Sequence, residues 1–132
     1  MTNEQIDALE AGREMDERIA REVMGLEVIP HFGDVYTPLM DVYTTKNVWT
    51  VSDRDCVEVE RYSTDIAAAW KVVENLEKRK ILFSATRRTD NYGNLVWFVH
   101  FRQCDEPFRD WFFVDGKLTV AICRAALNAV NQ

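Results

Sequence analysis

Cysteine and histidine are scarce in this 132-residue chain, and that scarcity excludes several classes of function. Cys56, Cys104 and Cys123 are an odd number, widely spaced and without a C-x-x-C pair, so a disulfide scaffold is excluded and reduced thiols are expected. With His31 and His100 they show no ligand pattern on a single turn or helix face, so neither a metal nor a cofactor is expected. No apolar run approaches the ~20 residues that span a bilayer, and residues 1–10 lack the basic start and apolar stretch of a secretory signal. No membrane association is expected, and the protein is expected to stay in the cell that makes it. Basic residues are also short, 16 against 22 acidic ones, for a formal net charge of −6. A coat on long nucleic acid draws its affinity from clustered Lys and Arg, and that class is excluded. A small anion is not, because two or three arginines in one pocket outweigh distant, screened charge.

Catalytic signatures are missing as well. There is no phosphate-binding loop, dinucleotide-binding glycine pattern or nucleophile elbow. His100 stands alone as a potential general base, and Cys104 lies outside any activated motif. The expectation is a non-enzymatic protein.

What is present is a core. With 47% hydrophobic and 11% aromatic residues, a chain of this length supports one independently folding domain, residues 1–132. Met15, Ile19 and Val23 recur every fourth residue, which predicts a helix over 11–24 ended by Gly25, with Asp16 among the outward charges. Residues 26–61 have β-branched and aromatic side chains broken by Pro30, Gly33, Pro38 and Asn47. They predict short strands at 35–37 and 42–44, a hairpin return at 48–51 across 45–47, and a half-exposed strand around Val57 and Val59. Residues 62–80 give the clearest helix, capped by Ser63 or Thr64, with an apolar stripe of Ile66, Ala69, Trp70, Val73 and Leu76. Three strands follow at 81–89, 95–103 and 108–114, then an alanine-rich helix over 119–131. Short connections make the strands antiparallel. Helices on both sheet faces predict an α/β (α+β) fold, a three-layer α-β-α sandwich with a mainly antiparallel sheet.

Three groups of residues suggest binding. Ser63, Thr64 and Asp65 stand at a helix start, where N–H groups hold a phosphate or a ribose hydroxyl, although Asp65 cuts against a phosphate; plain capping is the favoured reading and explains all three without a ligand. Arg88 and Arg102 on adjacent strands, with Tyr92 in the turn between, suit a nucleotide, since arginine clamps oxyanions and a ring stacks on a base. Arg87 must point to the opposite face from Arg88, and a solvated hairpin tip is the plain alternative. Among the consecutive Trp111, Phe112 and Phe113 at least one ring lies opposite the others. Trp111 and Phe113 are taken as candidate interface residues, the alternative being that they fill the core.

Four segments in this order, Gly12-Arg13-Glu14-Met15-Asp16, Glu22-Val23-Met24-Gly25, Tyr62-Ser63-Thr64-Asp65-Ile66-Ala67-Ala68-Ala69-Trp70 and Ala121-Ile122-Cys123-Arg124-Ala125-Ala126-Leu127, together resemble the phage ABA sandwich domain, a family of small proteins of bacteriophages and prophages. The resemblance covers both ends and the central helix but not residues 27–61, and it does not specify 105–116. It implies phage origin, α-β-α layering and action in the host bacterial cytoplasm. A looser analogy with small phage proteins of mixed α/β structure suggests an anti-defence sponge for a nucleotide immune signal of the cyclic ADP-ribose or cyclic dinucleotide type. The alternative is a module that binds and inhibits or redirects a host protein. A homo-oligomer is compatible with either.

Overall fold

Alternation of large apolar and polar side chains over the last third of the chain produces a three-stranded antiparallel sheet, and the helices gather on one side of it. The computed structural model describes residues 2–26, 28–31, 34–37, 42–45, 48–50 and 59–131. Their order is α1 (Asn3–Ala8), α2 (Arg13–Arg18) continued by a π-helical turn (Ile19–Val23), β1 (Ile29–His31), β2 (Asp34–Thr37), β3 (Val42–Thr45), β4 (Val48–Thr50), α3 (Ile66–Lys78), β5 (Ile81–Thr89), β6 (Leu95–Gln103), β7 (Arg109–Asp115) and α4 (Leu118–Val130). The class is α+β. Strand order in the sheet is β5-β6-β7, with Ile81 opposite Gln103 and Thr89 opposite Leu95, and Trp97 opposite Asp115. The turn between β5 and β6 is built by Asp90, whose Oδ1 accepts from the N–H groups of Tyr92 and Asn94, both at 2.9 Å. Gly93 there takes φ +82, which glycine adopts without strain.

Within the amino-terminal half, Thr2 and Gln5 cap α1 reciprocally. The helix expected over 11–24 starts after Gly12 rather than through it, because Gly12 sits at φ +143 and serves as its N-cap. Its buried side includes Met15, Ile19 and Val23 as expected, but also Asp16. The π turn, closed by the Met24 N–H on the Ile19 carbonyl at 3.0 Å, widens the pitch and puts Ala20 in the core as well. The strands predicted at 35–37, 42–44 and 48–51 are present, but among the described residues the last does not pair with the one before it. β3 and β4 both pair back to residues 29–37 in one constant register, from Ile29↔Thr50 to Thr37↔Val42. Cys56 and Val57 lie outside the described residues.

α4 is the hub. It packs on β6 and β7 on one side, on α3 beside it, and on α1 and the π turn on the other. Ala121, Ala125, Ala126 and Ala129 are all buried, and their small side chains allow neighbours to approach from several directions. Arg124 adds a polar tie: Nε donates to the Leu9 carbonyl at 3.1 Å and Nη1 to Asp115 Oδ2 at 3.1 Å. α3 buries Ala68, Ala69, Val72, Val73 and Leu76, so its stripe is rotated from the expected one. Ile66 and Trp70 are half exposed; the Trp70 ring meets Phe83 of β5 edge-on at 5.6 Å. The resulting layers are the sheet, then α3 with α4, then α1 with α2. Among the described residues no helix covers the outer face of the sheet, where Ser84, Thr86, Arg88 and Arg102 suit water.

A buried polar staple joins the start of α2 to the turn before α3 and to the first turn of α4. Ser63 donates both its backbone N–H and its hydroxyl to Asp16 Oδ1, each at 2.7 Å. Its oxygen accepts from the Gly12 N–H at 2.9 Å, and its carbonyl accepts from Thr119 Oγ1 at 2.7 Å. Burial pushes the Asp16 carboxyl above its usual range, while the Ser63 hydrogen bonds and the nearby Arg61 oppose that rise.

Removing the acceptor in Asp16→Ala strands two buried donors and should cost about 3 kcal/mol in chemical denaturation, whereas Asp16→Asn keeps an acceptor and should cost less. The raised native value means that protonation favours the folded state, a contribution fully present below the unfolded value and lost as pH rises through the folded one. Wild type should therefore gain stability on Asp16→Asn as pH falls from neutral toward 4, measured as the difference between the two denaturation midpoints. Overpacking the hub in Ala125→Leu should destabilise by about 1–3 kcal/mol in the same assay.

Candidate functional site

The residues singled out from sequence part company in the structure. Ser63 is fully buried and its polar atoms are engaged in the staple. Asp65, not Ser63 or Thr64, is the N-cap of α3, its side chain accepting from the Ala67 N–H at 3.1 Å. Thr64 is exposed. These three do not make one ligand surface, because consecutive residues entering a helix point in different directions. Trp111 and Phe113 face the helices: Trp111 is buried, and Phe113 packs against the core with the Arg124 guanidinium 5.4 Å from its ring. Strand parity turns Phe112 to the other side, 53% exposed, so the outward ring is the middle one of the three.

Arg87 and Arg88 separate as parity requires. Arg87 lies over Trp97 on the helix side at 4.8 Å, and Arg88 lies over Phe98 on the outer face at 4.1 Å. Arg102 shares that outer face, but Arg88 is opposite Val96 and Arg102 opposite Leu82. Six residues along β6 place the two arginines roughly 20 Å apart, at opposite ends of one face rather than in one concavity. Tyr92 is almost fully exposed at the tip of the β5–β6 turn.

Between the arginines lies a row of rings. The His100 ring stacks on Phe112 with centroids 4.4 Å apart and planes within 10°. Phe112 is tilted against Phe98 at 5.4 Å, and Arg88 completes the row. Registration accounts for this order: His100 is directly opposite Phe112, Phe98 opposite Val114, and Arg102 opposite Asp110. Direct neighbours on one face of an antiparallel pair lie about 5 Å apart, and diagonal ones are within reach of aromatic side chains. The far end is polar. Asp110 Oδ1 lies 2.7 Å from His100 Nε2 and 3.7 Å from Arg102 Nε, so one carboxylate holds both the imidazole edge and the guanidinium. Leu82 and Val114, about half exposed, flank the row.

This face offers ring surfaces for stacking, a cation at each end, and an imidazole fixed by its carboxylate. Phe98, His100, Asp110 and Phe112 carry it, and none was among the residues selected from sequence. Their signal was the even-numbered register shared by β6 and β7. Beside the face, along the outer edge of β7, runs an open groove of about 500 Å³ that reaches Asp7 of α1 and Asn128 of α4. Among the described residues the buried Asn128 Oδ1 has no hydrogen-bond partner. Among the described residues no group of three or more His, Cys, Asp or Glu side chains is placed to hold a metal, and no helix is long and apolar enough to cross a membrane.

No curated protein and no solved structure matches the chain. The family model described as the phage ABA sandwich domain matches residues 17–127, a span running from α2 through the outer face to the hub helix, and the chain belongs to that family.

Proposed function

We propose that this phage protein works in the host bacterial cytoplasm by stoichiometric capture, holding a small nucleotide immune signal of the cyclic ADP-ribose or cyclic dinucleotide type on the outer face of the sheet without altering it. The observation that carries this reading is the row Arg88, Phe98, Phe112 and His100 with Arg102 at its end. The base of a nucleotide has a flat π surface that stacks on an exposed ring, and the nucleotide's phosphates pair with guanidinium groups. Phe112 supplies the ring. Arg88, already laid on Phe98, keeps its plane fixed while its edges remain open to an oxyanion, which reduces the entropy lost on binding. The chain's overall negative charge is tolerable because the cations stand at the face itself. Capture is distinguished from turnover by recovery of the ligand, because the exposed Ser84 of β5 stands directly opposite the His100 that Asp110 holds.

A second reading is a protein-binding module that inhibits or redirects a host protein. The half-exposed Leu82, Phe112 and Val114 support it, because apolar side chains gathered on an open face mark a docking surface.

Calorimetry and thermal-shift measurements against cyclic ADP-ribose isomers and cyclic dinucleotides test the first reading. Wild type should release heat and gain thermal stability with one of them, with the ligand recovered unchanged. Phe112→Ala should weaken that binding about tenfold or more through loss of a stacking contact, and Arg88→Ala should weaken it with a steeper dependence on salt. Absence of both heat and stabilisation across the series removes the sponge. A single host protein retained by wild type and lost with Phe112→Ala favours the second reading, and substoichiometric consumption of a metabolite overturns both.

A further inference from the structure

We infer that β7 pairs edge to edge with the same strand of a second copy, antiparallel and centred on Phe112, joining two sheets into one of six strands. The pairing depends on the strand edge alone, not on the ligand proposed above. β7 is terminal in the order β5-β6-β7, and among the described residues no other strand pairs with its outer side. A terminal strand presents a row of unpaired N–H and C=O groups, and proteins blunt such edges with proline, bulges or charged side chains, lysine above all, when they are to stay unpaired. The seven residues of β7, Arg-Asp-Trp-Phe-Phe-Val-Asp, contain no proline, glycine or lysine, and their charges stand at the two ends, leaving residues 111–114 uncharged. The opposite edge differs: β5 carries adjacent Arg87 and Arg88 and no acidic residue, so self-pairing there brings together cations without anions.

The β7 sequence is complementary to itself about its midpoint. An antiparallel pair centred on Phe112 sets Arg109 opposite the partner's Asp115, and Asp115 opposite the partner's Arg109. Arg109 is exposed and in no salt bridge among the described residues. Asp115, held by Arg124 at 3.1 Å, is already oriented on the helix side, the side that parity assigns to Arg109 as well. Trp111 falls opposite the partner's Phe113 on that side. A two-fold axis requires such reciprocity: every contact between two different positions occurs twice.

The groove along β7 gives the incoming strand its room. It borders both faces of the strand and extends to Asn128 of α4. On the outer face Phe112 meets the partner's Phe112 across the axis, with Cβ atoms about 5 Å apart as in any directly opposed pair. The row of rings then runs without a break from one His100 through both phenylalanines to the partner's His100, so each subunit supplies half of a composite surface.

Sedimentation velocity from low to high micromolar concentration should show a reversible dimer. Arg109→Asp, which sets like charges opposite each other twice, should raise the dimer dissociation constant at least tenfold while circular dichroism stays that of wild type. Position is tested independently of folding. In a Cys104→Ser background, Phe112→Cys should give a dimer bridged at residue 112 by a short thiol-specific crosslinker, located by peptide mass spectrometry. Val114→Cys, set opposite the partner's Asp110, should bridge far less. A chain that is monomeric over the whole range, or a dimer insensitive to Arg109→Asp with no bridge at 112, overturns the inference.

Discussion

Strand parity is the constraint on which the rest of this structure hangs. Along β6 the odd positions Trp97, Val99 and Phe101 turn to the helices, and Val99 and Phe101 are fully buried there. The even positions Phe98, His100 and Arg102 then have no choice but the other face. β5 and β7 are locked to the same alternation by their registers. A slip of one residue in either strand would carry Phe83 or Trp111 out of the core and disperse the outer row. The energy that fixes the outer face is therefore spent on the inner one, through burial against α3 and α4. The surface row inherits its geometry at little cost of its own.

Where the sequence was legible, one period dominated. The alternation of β6, the turn at Asp90 and Gly93, and the α4 small-residue pattern each led to the observed element. Legibility failed where tertiary partners override local pattern. Asp16 sits among charged neighbours and reads as solvated; only the distant Ser63 donors make its burial tolerable. Ile66 and Trp70 belong to an apolar helical stripe, yet Ala68 and Val72 are the ones buried, because α3 is packed by α4, β5 and the π turn together. Strands β2, β3 and β4 were legible, but the pairing of β1 with β4 and of β2 with β3 escaped because the turn signals at Thr45 and Asn47 were stronger locally than the register that governs pairing.

The site was half legible for a related reason. Arg88 and Arg102 were chosen for charge and proximity in sequence, and they do share a face. Their separation along the strand follows from register, which needs both partners of the pair. Phe112 was visible as one of three consecutive rings, but which ring points outward depends on where β7 starts relative to β6. His100 and Asp110 are ten residues apart with a strand break between them, and only the β6–β7 ladder makes them neighbours.

The position of the hub has a consequence for synthesis. α4 emerges from the ribosome after all the elements it supports, so α1, α2 and α3 reach solvent with their apolar sides lacking the surface that receives them. Residues as distant as Leu9 and Arg124 must meet before the staple and the alanine helix can close the interior. Such long-range contacts slow folding. The apolar sides of α1, α2 and α3 thus stay uncovered until α4 docks, and closure of the interior is a single late event in folding.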